Sequence, residues 1–106
     1  MTDMANSIER PHRSGCPIAT TLDLVGDRWS LVIVRDMLTG KRRYGEFLAS
    51  PEGITTNILA DRLKRMEETG LIARTPYQRR PVRHDYALTE KGETLRPVLQ
   101  EMCMWA

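Results

Sequence analysis

The segment from Ile54 to Leu71 spells out both ends of a helix. Thr55 stands at a capping position, and Ile54 before it pairs with Leu59 at the fourth helical position as a hydrophobic staple. Ile58 at the third position denies the companion capping box. Gly70 stands where a left-handed terminating residue belongs, with Met66 and Leu71 spaced for the apolar contact that accompanies it. The pattern predicts a helix over 56–69. Two runs with strand alternation follow, 71–75 and 82–88, and between them lies a Pro-flanked basic stretch, YQRRP. In the second run Val82, His84, Tyr86 and Leu88 share one face, and Arg83, Asp85 and Ala87 the other. A hairpin with a long basic tip is therefore expected directly after a strongly delimited helix.

The rest of the chain must cover the apolar sides of that pair. Ile18, Leu22 and Val25 recur at helical spacing, with Pro17 suited to the first helical position, Cys16 to the cap and Gly26 to the stop. Between Trp29 and Gly40, Trp29, Val32, Ile33 and Met37 fall on one side and Leu31, Val34 and Leu38 on the other. Such an all-round apolar helix in a soluble chain is contacted from two sides. Tyr44, Phe47 and Leu48 mark a short amphipathic helix, ended by the Ser50–Gly53 turn. Thr89 caps a last helix with the stripe Leu95, Val98, Leu99 and Met102, in which Pro97 bends the helix or starts a second segment. Residues 1–15 are polar and aperiodic and read as a flexible arm, which leaves 16–106 as one domain of ordinary size for 106 residues.

Composition narrows the function. Hydrophobic residues at 41% and charged residues at 28% describe a folding, soluble chain. No apolar run approaches the roughly 20 residues of a membrane span and no secretory segment opens the chain, so no membrane partner and a cytoplasmic location are expected. Cys16 and Cys103 lie far apart in no ligand-like spacing, and no cofactor or metal motif is present. The net charge of +2 says little, but Arg74, Arg79, Arg80 and Arg83 occupy a window without an acid. Three helices, a longer helix and a basic hairpin give the order of a winged helix-turn-helix: an α+β, mostly helical fold with a two-stranded basic wing.

CPIATTLDLVGDRWSLVIVRDML, KRRYGEF, GITTNILADRLKRMEETGLI, HDYALTEKGETLRPVL and the late Trp105 together resemble the HxlR-type winged-helix transcription regulators of bacteria, over about nine tenths of the chain. The resemblance implies a homodimeric DNA-binding regulator whose terminal helices form the dimer contact. Gly45 stands where the family usually has a small polar residue and His84 where an apolar one is common. The last helix is apolar and uncapped at Ala106, from which a longer native chain is expected.

The expected residues of function follow. Stepping 100° per residue puts Leu59, Leu63 and Met66 on the core side of the predicted helix, and Thr56, Asn57, Ala60, Asp61 and Lys64 opposite. Asn57 suits adenine, Thr56 a thymine methyl or phosphate, and Lys64 guanine or phosphate; Thr55 and Ala60 complete the groove face. Asp61 repels phosphates unless it accepts from a cytosine amino group. Arg62, on the shoulder, is expected to pair with an acid. Lys41, Arg42 and Arg43 precede the short helix, where phosphate contact is expected, and Arg79, Arg80 and Arg83 give the wing (76–83) its grip on backbone or minor groove. The double-stranded DNA partner of a dimer is a pseudo-palindromic operator; the residues specify no small-molecule effector. The dimer contact is assigned to Ile18, Leu22, Val25, Leu95, Val98, Leu99, Met102 and Trp105, although Trp29, Tyr44, Phe47, Tyr86 and Trp105 are also at core spacing. Cys16 at a helix N-cap meets the positive end of the dipole, which favours thiolate and makes it the redox-sensing candidate. Cys103 is packing or interface material. The alternatives are a winged-helix module that binds protein, which needs no basic wing, and a thiol enzyme pairing Cys16 with His84, which lacks an orienting acid; no enzyme is expected.

Overall fold

The computed structural model describes residues 15–106, so the arm expected over 1–15 falls, Gly15 apart, outside the described residues. In chain order the elements are α1 (Pro17–Val25), α2 (Ser30–Leu38), α3 (Tyr44–Leu48), α4 (Thr56–Glu68), β1 (Ile72–Arg79), β2 (Val82–Leu88), α5 (Glu90–Glu93) and α6 (Arg96–Trp105). The helices end where local chemistry ends them. Pro17 opens α1 with Cys16 as the extended N-cap residue, Thr55 Oγ1 accepts from the Ile58 N–H at 3.3 Å at the start of α4, and Thr89 Oγ1 accepts from the Gly92 N–H at 3.1 Å at the start of α5. Pro97 divides the last helical stretch, since it fits the first turn of α6 and not the interior of a longer helix.

α2 is the centre of the core. Its Ile33, Val34 and Met37 are buried with Phe47 of α3, Leu59, Leu63 and Met66 of α4, Ile72 of β1 and Tyr86 of β2, and each such side chain contributes about 1.5–3 kcal/mol by leaving water. Val25 is also in this core, at 3% exposure, so it is withdrawn from the expected dimer surface. It lies in the last turn of α1, where the helix meets the core; Leu22 and Ile18, one and two turns earlier, stay exposed. Leu95 and Leu99 are half-buried against the same core. Trp105, at core spacing in the sequence, is 91% exposed: a helical stripe packs only where another element lies opposite, and the end of α6 runs past the core.

β1 and β2 form a two-stranded antiparallel sheet with Ile72 opposite Leu88 and Arg74 opposite Tyr86. The expected long tip is corrected here. β1 continues through Pro76, Tyr77, Gln78 and Arg79, and only Arg80 and Pro81 join the strands. Pro76 is tolerated because both strands of a two-stranded sheet are edges and its missing N–H need not meet a partner. The register shifts between Pro76, opposite His84, and Gln78, opposite Arg83, so Tyr77 is the extra residue of a bulge. Helix α3, the turn 49–55, α4 and this hairpin make a winged helix-turn-helix.

Candidate nucleic-acid interface

The outer side of α4 follows from its inner one. With Leu59, Leu63 and Met66 buried, Thr56, Asn57, Ala60, Asp61 and Lys64 are all exposed; helical rotation puts Asn57, Asp61 and Lys64 opposite the core and Ala60 on the flank, whereas Thr56 falls by rotation toward the core side and is open as the first residue of the helix. Thr55 is exposed too, with its hydroxyl oxygen committed to the cap. On the wing, Arg79, Arg80 and Arg83 are exposed, and among the described residues no carboxylate pairs with any of them. Arg74, counted with them by sequence, instead meets Glu67 of α4 at 3.3 Å, an exposed pair that ties wing to helix only weakly.

The connector before α3 divides its three cations. Lys41 Nζ donates to Ser50 Oγ at 3.1 Å and lies 3.7 Å from the Asp36 carboxylate. Arg43 Nε donates to Asp85 of β2 at 2.8 Å, and its guanidinium stacks 3.6 Å from the ring centre of Tyr77, the bulge residue. The Tyr86 N–H donates to the Arg42 carbonyl at 2.8 Å, which lays the connector along β2. Wing and helix-turn-helix are thereby joined by an ion pair, a stacked cation and a backbone hydrogen bond. Arg42 alone of the three is exposed without an ion pair among the described residues. The hydrogen bond that Arg43 donates to Asp85 raises the pKa of Arg43, while the Arg42 and Arg43 N–H groups lower that of Glu46, whose Oε1 accepts both at 2.7 and 3.0 Å.

These exposed residues lie on a fold that recurs among known proteins. The family model described as HxlR-like helix-turn-helix matches residues 24–106. The HTH-type transcriptional regulator YybR of Bacillus subtilis is 36% identical over 95 residues, covering 90% of this chain and 76% of its own. The chain belongs to the HxlR-like helix-turn-helix family of transcriptional regulators. Among solved structures, the redox regulator HypR in its oxidized form is 36% identical with a TM-score of 0.77, over 85% of this chain and 93% of its own. The reduced form of the transcriptional regulator YodB from Bacillus subtilis is 35% identical with a TM-score of 0.72, over 88% and 92%.

In this HxlR-like chain α4 is held by carboxylates that the sequence alone did not single out. Asp27 Oδ2 accepts from the Trp29 and Ser30 N–H groups at 3.0 and 3.1 Å, and from Arg62 Nε of α4 at 2.8 Å. It thus caps the start of α2 and grips α4 at once, and Arg62 finds the acid it was expected to need. An Asp between Gly26 and the apolar run was the signal for the cap; nothing local announced the second role. Burial raises the Asp27 pKa, but bonds from the Ser30 hydroxyl, Arg62 and the two N–H groups outweigh it and hold the carboxyl far below its usual range.

A second set fixes the turn between α3 and α4. Asp36, 3% exposed in α2, accepts from the Ser50 hydroxyl and, at 2.9 Å, from Arg35. Arg35 also forks onto both oxygens of Glu52 at 2.7 and 2.8 Å. That fork draws the Glu52 pKa down to about 2.

The Asp27 pair makes a stability prediction. A carboxyl whose pKa is depressed on folding stabilises above its unfolded pKa and loses that contribution as pH falls through the folded one. Asp27→Asn should therefore cost about 2 kcal/mol in urea unfolding at pH 7, the worth of a charged hydrogen-bond set. The gap to the wild type should shrink steadily as pH falls below about 4. A gap independent of pH would show that the charge of Asp27 carries none of it.

Proposed function

We propose that this HxlR-like regulator binds DNA sequence-specifically as a homodimer, with α4 in the major groove and the wing on the backbone or the neighbouring minor groove. The observation that carries the reading is the exposed set Thr56, Asn57, Ala60 and Lys64 on α4 beside the unpaired cations Arg79, Arg80 and Arg83. Polar groups on an outward helix face suit base edges, and unpaired cations suit phosphates. Arg42 joins the phosphate contacts most readily; Lys41 and Arg43 already hold protein partners and add charge more than direct contact. Arg80→Ala should weaken specific and random DNA alike and flatten the plot of log affinity against log salt by about one unit. Asn57→Ala should cost about 1–3 kcal/mol on the operator and little on random DNA. Equal losses on both DNAs for Asn57→Ala, or an unchanged salt slope for Arg80→Ala, would reverse the assignment of readout to helix and grip to wing.

The homodimer reading rests on apolar surface left open at both ends of the described chain. On α1, Ile18 and Leu22 are 71% and 56% exposed, and on α6 Val98, Met102 and Trp105 are exposed as well. A two-fold pairing of these faces would cover them, draw on the outer sides of Leu95 and Leu99, and match a pseudo-palindromic operator. Sedimentation at micromolar concentration should give a dimer, and Leu22→Glu a monomer; a wild-type monomer would end this reading.

A thiol response is a further part of the proposal. Cys16 is the exposed N-cap residue of α1, next to the proposed dimer face, and HypR, a named redox regulator, is a structural relative. Oxidation by diamide should change operator affinity in the wild type and leave Cys16→Ser unaffected. An equal response of the two proteins would make Cys16 a cap and nothing more.

A further inference from the structure

The outward stripe of α4 has a carboxylate at its centre. Measured from the buried Leu59 at 100° per residue, Asn57, Asp61, Lys64 and Glu68 point most directly away from the core; Asp61 follows Asn57 by one turn, in the half of the helix nearer its N-terminus, and Glu68 closes the stripe at the C-terminal end. Its side chain is 56% exposed. On a helix lying in a groove, residues at the flanks meet phosphates and those along the middle of the outward stripe meet base edges. An acid at a flank would only repel DNA. An acid at the centre faces groups to which it can bond.

What holds Asp61 sharpens this. Arg62 Nη1 donates to Asp61 Oδ2, while Arg62 Nε is bound to Asp27 Oδ2 at 2.8 Å. The guanidinium is therefore anchored to the junction of α1 and α2, partly offsets the charge of Asp61 and steadies its carboxylate. Asp61 Oδ1 makes no hydrogen bond among the described residues. A carboxylate oxygen only accepts, so it needs a donor, and the major-groove donors are the amino groups of cytosine and adenine. The adenine amino group sits beside the N7 acceptor, which an approaching carboxylate would meet with like polarity; the cytosine amino group has no acceptor beside it on its own base.

We propose that Asp61 is a specificity-determining residue that reads the amino group of one cytosine in each half-site, with Arg62 as its positioning partner. The inference rests on the DNA-binding reading above and deepens it. The test selects bound duplexes from a randomised DNA pool with the full chain, Asp61→Asn and Asp61→Ala, after thermal unfolding has verified that both exposed-site variants fold. The wild type should enrich a motif with one cytosine per half-site that both variants lose by at least about fivefold, the lower end for one base contact. Asp61→Asn, which gains a donor, should turn that position toward adenine; Asp61→Ala should leave it unselected, with affinity for random DNA equal to or above the wild type because a negative charge has gone. If all three proteins enrich one and the same motif, or if the variants alter every position together, Asp61 is not the reader, and DNA binding by α4 stands without it. If the wild type enriches no motif, this inference and the sequence-specific reading fall together.

Discussion

The corner at Gly70 and Leu71 is the constraint on which the other elements depend. Gly70 takes φ +82°, a left-handed conformation that L side chains rarely adopt, and this lets the Leu71 N–H return to the Met66 carbonyl at 2.9 Å and the Gly70 N–H to Glu67 at 3.1 Å. The same few atoms then receive the far end of the wing: the Thr89 N–H donates to the Leu71 carbonyl at 3.0 Å and the Thr89 hydroxyl to the Gly70 carbonyl. α5 comes so close that a Cβ on Gly92 would lie 2.1 Å from the Leu71 oxygen, an overlap no rotamer relieves. The end of α4, both strands of the wing and the start of the final helical stretch are thus set by one turn.

From that corner the charged side chains divide into those that hold the frame and those left for a partner. Asp27 with Arg62, Asp36 with Ser50, Arg35 with Glu52, and Arg43 with Asp85 each join separate parts of the chain. Partly or wholly removed from water, such pairs cost desolvation and repay it only with good geometry, so their worth lies as much in fixing how elements meet as in net stability. The cations of the wing have no such partner among the described residues and remain in water, where a polyanion can take them at little cost.

The element order, the caps of α4, the division at Pro97 and the core side of α4 could be read from the chain because each depends on residues within a turn or two of one another: Thr55 with Ile58, Gly70 with Met66, Leu59 with Leu63. The hairpin was legible in kind and not in extent, since Pro76 looks like a break until the strand is seen to be an edge with a bulge beside it. Val25 and Trp105 show the same limit from the other direction. Both sit on apolar helical stripes, yet one is sealed in the core and the other open to solvent, and only the presence or absence of an opposing element separates them.

The sequence by itself thus determined what is local: a winged helix-turn-helix order, a polar outward face on α4 and an excess of arginine on the wing. The tertiary structure alone decided which charges are available. Arg43, Lys41 and Arg62 look like their neighbours Arg42 and Lys64 in the chain, but carboxylate partners at Asp85, Asp36 and Asp27 occupy the first three and none occupies the others among the described residues. Those partners lie 42, 5 and 35 positions away, and for the two long separations no periodicity or spacing rule carries information about who will meet whom. The pairing is settled only when the core closes and brings the helix shoulders and the wing within hydrogen-bond reach.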